Sequence, residues 1–332
     1  MGIPSYYRTL ITKIPHAIKR KAPVGASTLV IDMNCMIYHV LREPKMLANP
    51  YPGEQGRLGW ERKLQDEVCS YLTHIWRSAG APGQVYVALD GVVPYAKIKQ
   101  QRFRRFKSAA LASSGGSNGA WGANPTWDTN SITPGTQFMA NMGASLKEIS
   151  KKHGWLISDT DEPGEGEHKV LQWLLKTKLN EGAVIVYGLD ADLIFLMLST
   201  GLDTIYLMRE ANKMDSNTTD IINFISLKTM KTCIVDSFSN IIEKKIDKSV
   251  RFKISNEKII DDFIFICSLM GNDFLPHMPA LDIYDHAIDR LMETYVDILI
   301  TNNYIIDRTL PDLINNDIFY KFIVKLASME EE

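Results

Sequence analysis

Three short runs of the chain are apolar or β-branched almost throughout: "TLVID" at 28–32, "QVYVALD" at 84–90 and "AVIVYGLD" at 183–190. Near-continuous hydrophobicity, rather than strict alternation, is the pattern of parallel strands covered on both faces. Between these runs, residues 61–77 and 138–153 repeat their apolar positions at helical spacing. The pattern therefore predicts an α/β fold, a mainly parallel sheet flanked by helices and joined by right-handed crossovers. Each predicted strand ends in an aspartate: Asp32, Asp90 and Asp190. Ligands of open α/β sheets bind at the carboxyl edge of the strands, so the three acids are expected to share one crevice. Residues 112–136, rich in Gly, Ser and Asn, read as a flexible loop that ends at "TPGT", before a helix starting near Gln137. After about residue 210 strands give way to helical patterns, among them "KIIDDFIFICSLMG" and "HAIDRLMETYVDILI". Two regions are expected: an α/β core over 1–225 and a helical C-terminal segment over 226–332.

Composition adds bounds. Hydrophobic residues make up 45% and charged residues 23%, the balance of a soluble globular protein. No apolar run approaches the length of a membrane span, and "MGIPSYYRTLITKIPH" lacks the apolar core of a signal peptide. Tyr6 stands where the myristoylation pattern needs Ser or Thr. The four cysteines are far apart and form no metal-type pair, which points to buried free thiols in a reducing, intracellular compartment. The expected location is the cytoplasm rather than the nucleus. The net charge of −2 hides a division: residues 1–110 hold 17 Lys and Arg against 7 Asp and Glu, leaving 20 against 32 for the rest. A net of +10 followed by −12 suits a protein that grips a polyanion with one part and cations with another.

The acidic half opens its chemistry at "DTDEPGEGEHK", where Asp159, Asp161, Glu162, Glu165 and Glu167 fall within nine positions. A helix N-terminus after Pro163 and Gly164 accounts for two or three of them. A divalent cation would account for the others, and further acids are placed to share it. Asp32, Asp90, Glu165, Glu167, Asp190, Asp192 and Asp273 give seven carboxylates in five segments. Oxygen ligands of this kind suit Mg²⁺ or Mn²⁺, and two such ions about 4 Å apart would serve phosphoryl chemistry. The basic counterpart is "KIKQQRFRRFK" at 97–107, with six cations and no acid. As a helix it sets Lys97, Gln101, Arg104 and Arg105 on one face, suited to a terminal phosphate. Phe103 and Phe106 fall on the other side, where they are expected to anchor the helix to the core.

In order along the chain, "MGIPSYYRTL", "LVIDMN", "ALDGVVPYAKIKQQRFRRF", "ITPGTQFM", "DEPGEGEHK", "GLDADLIFLML" and "CSLMGNDFLPH" resemble the 5′–3′ exoribonucleases of the Xrn/Rat type. The resemblance implies a PIN-like, flap-nuclease-type catalytic fold whose helical segment completes the metal site and the substrate channel. It also implies processive hydrolysis of single-stranded RNA from a 5′-monophosphate, with release of nucleoside 5′-monophosphates. By the same resemblance the seven carboxylates hold two divalent ions, and Lys97, Gln101, Arg104 and Arg105 form the pocket for the 5′-phosphate. The family stacks a base on a histidine six residues after its first aspartate; that position here is Tyr38, with His39 beside it. Tyr95 stands for a usual arginine and Gln137 for a usual glutamate. Cellular members run far beyond the "GNDF" region, so the chain reads as a compact form, as a virus-encoded homologue would be, or as one piece of a longer protein.

Two other functions fit parts of this pattern. A structure-specific flap endonuclease acting on DNA shares the carboxylate plan, although "QQRFRRF" speaks against it. A protein that binds RNA without cutting would not need all seven acids.

Overall fold

The computed structural model describes residues 17–113, 127–211, 221–246, 254–272, 274–276, 278, 281, 287–301 and 303–328. Two compact units divide the chain, one built from 19–189 and 205–224, the other including 190–204 and the residues from 225 on.

The first unit is an α/β layer structure around a seven-stranded, mostly parallel sheet. Its strands are β1 (Ile18–Lys19), β2 (Ala26–Asp32), β3 (Gln84–Ala88), β4 (Leu156–Ser158), β5 (Ala183–Tyr187), β6 (Ile205–Glu210) and β7 (Ile222–Ser226), in the order β1-β7-β6-β5-β2-β3-β4. The pairings β6–β5, β5–β2, β2–β3 and β3–β4 are all parallel. Strand β2 lies between β5 and β3, with Ile31 in register with Val87 on one side and Tyr187 on the other. Burial on both faces explains why 28–32, 84–88 and 183–187 carry so few polar residues. The carboxyl ends of β2, β3 and β5 lie side by side as a result. Helices α1 (Asn34–Leu41), α2 (Arg57–Ser78), α3 (Tyr95–Ser113), α4 (Gln137–His153) and α5 (Gly166–Lys176) belong to this unit.

Three differences from the sequence expectation have simple causes. Strands β4 and β6 were not marked out because one is three residues long and the other, "IYLMRE", carries charge at its end. Strand β7 lies past 210, where only helices were expected, and five residues are too few to show a period. The predicted loop over 112–136 is not one element. Residues 112 and 113 continue α3, and 114–126 lie outside the described residues. Residues 127–136 are docked on the core: Trp127 is buried, donates from Nε1 to Glu61 Oε1 at 2.9 Å, and packs edge-on against Phe138. A buried aromatic ring outweighs the turn-forming composition around it.

The second unit is helical: α6 (Asp192–Ser199), α7 (Leu227–Lys245), α8 (Asn256–Ser268), α9 (Ala287–Thr301) and α10 (Asn316–Ser328). Phe238 meets Phe263 and Tyr295 edge-on, with ring centroids 6.1 and 5.5 Å apart. Asp262, fully buried beside this cluster, accepts from Tyr295 Oη at 2.5 Å and from the backbone N–H groups of Ile305 and Ile306 at 2.8 and 2.7 Å. It ties the segment after α9 to α8. Burial pushes its carboxyl up to about 6, against the pull of the three donors. The folded value exceeds the ordinary carboxylate value, so the folded unit binds the proton more tightly than the unfolded chain does. The charged form then costs stability above that value. Relative to Asp262→Asn, wild type should gain about 1 kcal/mol as pH falls from 7 to 5, measured by urea unfolding at both pH values. No helix among the described residues is long and apolar enough to cross a membrane.

Candidate active site

The site of the first unit is organised around Gly166, the first residue of α5. Strand β3 ends at Ala88, whose carbonyl accepts from Met33 N at 2.9 Å, so the ends of β2 and β3 are locked together. Asp90 follows two residues later. Its Oδ2 accepts from Asn34 Nδ2 at 2.9 Å, while its own N–H donates to Asn34 Oδ1 at 3.1 Å. Asp90 Oδ1 accepts from the N–H of Gly166 at 2.7 Å. Asp32, buried at the end of β2, faces the α-carbon of Gly166 so closely that a Cβ there would collide with its carboxylate. Gly166 itself lies between Glu165 and Glu167, both buried. Two strand-end aspartates and two helix-start glutamates therefore meet at one glycine.

The electrostatics of this cluster are uneven. Glu165 Oε2 accepts from Lys97 Nζ at 2.7 Å, a pair with both side chains buried, and lies 3.9 Å from His168 Nδ1. Glu165 Oε1 is buried and accepts no hydrogen bond among the described residues. A buried carboxylate oxygen without a donor calls for an explanation, and an ion is one. Ligand atoms of Glu165, Glu167 and His168 lie within 4.8 Å of one another, an arrangement able to hold a metal ion. The donor set, mostly carboxylate oxygen, suits a hard divalent cation.

The supports come from the first turn of α5 and the segment that precedes it. Lys169, also buried, donates from Nζ to the carbonyls of Leu89 and Asp159, both at 2.8 Å, and burial pulls its ammonium below the ordinary lysine value. It thus fastens the approach to Asp90 onto the acidic segment. Gly91 N donates to Gly164 O at 2.8 Å, and Gly164 N donates to Val92 O at 2.8 Å. Gly164 has φ +112, and a Cβ on Gly91 would strike the Glu162 carbonyl, so this paired contact needs bare backbone at both places. The other acids of 159–167 have local duties. Asp159 pairs with Lys147 and accepts from Asp161 N at 3.0 Å; burial raises its carboxyl, but these partners hold it below the ordinary range. Glu162 accepts from Ser158 Oγ at 2.5 Å.

Helix α3 presents the expected basic face. Lys97 is turned inward to Glu165, while Gln101 Oε1 accepts from Arg105 Nη2 at 3.2 Å and Arg104 is exposed. Tyr38 on α1 lies in the field of the same residues. Burial raises its hydroxyl pKa and Asp90 adds to the rise, while Arg104 and Arg105 oppose it. The residue remains 38% exposed, which leaves surface for stacking. His39 points elsewhere, with Nε2 2.9 Å from Glu43 Oε1 and its ring 4.8 Å from that of Tyr71. Gln137 donates from Nε2 to Asn141 Oδ1 at 2.9 Å, a contact within its own helix. Phe103 and Phe106 do not anchor α3 to the core; they are 71% and 67% exposed. Opposed faces on a helical wheel do not reveal which face meets the core.

Asp190 and Asp192 belong to the helical unit, where Asp190 is exposed and Asp192 opens α6. Asp273 lies outside the described residues. Asn34, His168 and Lys169 were not singled out from the sequence, although "LVIDMN" and "DEPGEGEHK" contain them. Their signal is position: one follows Asp32 by two residues, and the others follow Glu167 directly.

Fold and site together define an open α/β protein whose acids gather at the carboxyl ends of parallel strands beside a cationic helix. The chain belongs to the XRN 5′–3′ exonuclease family. Residues 1–211 match its described N-terminal region, and residues 253–332 match the Xrn1 helical domain. It is 31% identical to 5′-3′ exoribonuclease 1 of Homo sapiens over 363 aligned residues, covering 100% of this chain and 20% of that protein. It is 29% identical to 5′-3′ exoribonuclease 2 of Saccharomyces cerevisiae over 368, covering 90% of this chain and 36% of that one. The chain thus spans about a fifth to a third of the length of these relatives. Among solved structures, the catalytic core of Rad2 in complex with DNA substrate is similar at a TM-score of 0.45 and 13% identity, covering 88% of this chain and 69% of that one.

Proposed function

We propose that this chain forms the catalytic region of a 5′–3′ exoribonuclease that hydrolyses single-stranded RNA from a 5′-monophosphate and releases nucleoside 5′-monophosphates. The observation that carries this reading is the convergence of Asp32 and Asp90 on Gly166, between Glu165 and Glu167, next to Lys97. Asp32, Asp90, Glu165 and Glu167, with Asp190, Asp192 and Asp273 assigned by resemblance, would hold two divalent ions, Mg²⁺ or Mn²⁺. The donorless Glu165 Oε1 and the 4.8 Å grouping of Glu165, Glu167 and His168 support the fit. Ions bound there would supply Lewis-acid activation of water and charge neutralisation at the scissile phosphate.

The chain's own side chains supply position and direction. Arg104, Arg105 and Gln101 offer several N–H donors to a terminal phosphate, whose three outer oxygens accept more hydrogen bonds than an internal diester can. Lys97, held at Glu165, links that pocket to the acids and offsets charge between them. Tyr38 stacks the first base, with about 1–3 kcal/mol available per base. A strand fixed by its end in this way presents its first linkage to the carboxylates, which makes the cut exonucleolytic and polar. The place of action proposed for the chain is the cytoplasm.

The test uses end-labelled RNAs of one sequence with 5′-phosphate or 5′-hydroxyl ends, and a matching branched DNA, each with Mg²⁺ or Mn²⁺. The 5′-phosphate RNA should be degraded at least about tenfold faster than the 5′-hydroxyl RNA, given hydrogen bonds to a charged group of about 1.5–3 kcal/mol each. Equal rates would remove the pocket assignment. Internal cutting of the DNA with the RNA left whole would favour the flap endonuclease, and binding without cutting the RNA-sequestering protein.

A further inference from the structure

We propose that the outward face of α3, formed by Tyr95, Lys99, Arg102, Phe103, Phe106 and Lys107, is a second contact for single-stranded nucleic acid, separate from the end-binding pocket. The helix carries two faces. Lys97, Gln101, Arg104 and Arg105 lie on one side, where Lys97 reaches Glu165. Positions 95, 99, 102, 103 and 106 follow one another at three- and four-residue steps about half a turn away, on the other side. Tyr95 is 87% exposed, Phe103 71% and Phe106 67%, and the four nearby cationic and apolar positions Val92, Lys99, Arg102 and Lys107 are exposed as well.

Three large rings standing in water on one helix face mark a binding surface rather than a folding one. The chemistry between the rings identifies the occupant. Each ring has a cation one turn away: Lys99 follows Tyr95 by four residues and precedes Phe103 by four, Arg102 precedes Phe106 by four, and Lys107 follows Phe103 by four. No acid occurs anywhere between 95 and 113. A protein surface that docked on three aromatic rings would prefer them contiguous and apolar, with charge at the margin. Rings alternating with cations, and no anion among them, complement a flexible polyanion that carries flat bases, which is single-stranded nucleic acid. Stacking on exposed rings tolerates any base, and the cations track the phosphates, so the contact should be sequence-tolerant and salt-dependent. The face needs neither a 5′ end nor the carboxylates, so it stands whether or not the chain cuts RNA.

A circular single-stranded RNA of about 30 nucleotides, long enough to span more than one stacking site of a few to about 16 nucleotides, has no end for the pocket to hold. Its binding, followed by fluorescence anisotropy in EDTA, isolates this face. Wild type should bind the circle, and the triple variant Tyr95→Ser, Phe103→Ser, Phe106→Ser should bind at least tenfold more weakly, from the loss of about fivefold or more per stacked base. Lys99→Gln with Arg102→Gln should lower the slope of log affinity against log salt by about 1.4, the release of counterions from two single-strand phosphates. Arg104→Ala, in the end pocket, should leave binding of the circle near wild type. Equal binding of the circle by wild type and the ringless variant would overturn the proposal. So would self-association of wild type that the ringless variant loses while its binding of the circle is unchanged, because the face would then belong to a second copy of the chain.

Discussion

Glu165→Gln is expected to slow degradation of 5′-phosphorylated RNA by about 10²–10³-fold, the scale set by removing one preorganised electrostatic group from a reaction centre. The substitution keeps the shape of the side chain and leaves an oxygen for Lys97 Nζ, which Glu165 Oε2 holds at 2.7 Å. It removes the negative charge that this buried ammonium faces, and it turns the donorless Oε1 position into a poor cation ligand. The variant should therefore bind Mn²⁺ more weakly, by paramagnetic titration, as well as turn over more slowly. Wild-type Mn²⁺ affinity in the variant would show that Glu165 is an ion-pair partner for Lys97 and nothing more.

Gly166→Ala is expected to be as damaging through shape alone. The added methyl would collide with the Asp32 carboxylate and come within 3.2 Å of the Ala88 carbonyl. Neither neighbour can give way cheaply: one belongs to the acidic cluster, and the other accepts the Met33 N–H that ties β2 to β3. The helix start must retreat instead, carrying Glu165 and Glu167 with it. A displacement near 1 Å costs about 10²-fold in rate, and the overpacking about 1–3 kcal/mol in stability. Single-turnover cleavage and thermal melting read the two effects. Gly59→Ala is the matched control, because nothing lies within 4 Å of a Cβ built there and Gly59 is inside α2. It should raise stability by roughly 1 kcal/mol with no change in rate. Full activity in Gly166→Ala would show that the four acids need not stay where this backbone holds them.

The strands that position this site were legible because parallel strands buried on both faces leave a hydrophobic run with sharp ends, as at 28–32 and 183–187. The acids Asp32, Asp90, Glu165 and Glu167 were legible for the same reason, since they follow those ends or open the next helix. What composition concealed is tertiary. Asp159 and Glu162 look like ligands in the sequence but are held by Lys147 and Ser158. Trp127, inside a stretch with the composition of a loop, is held by Glu61 more than sixty residues away in the chain. Asp262 looks like one more polar residue in "KIIDDF", yet it is fully buried and carries three hydrogen bonds. Phe103 and Phe106 show the converse, apolar residues that burial never claims. Periodicity ranks faces against each other and is silent about the neighbour each face meets.

The two backbone hydrogen bonds that join Gly91 and Val92 to Gly164 have a mechanical corollary. They rivet the root of α3 to the lead-in of α5, so any tug on the basic helix by a tethered polymer is felt as a torque on the carboxylates. Load and chemistry share one joint, and a side chain added at either glycine would loosen both together.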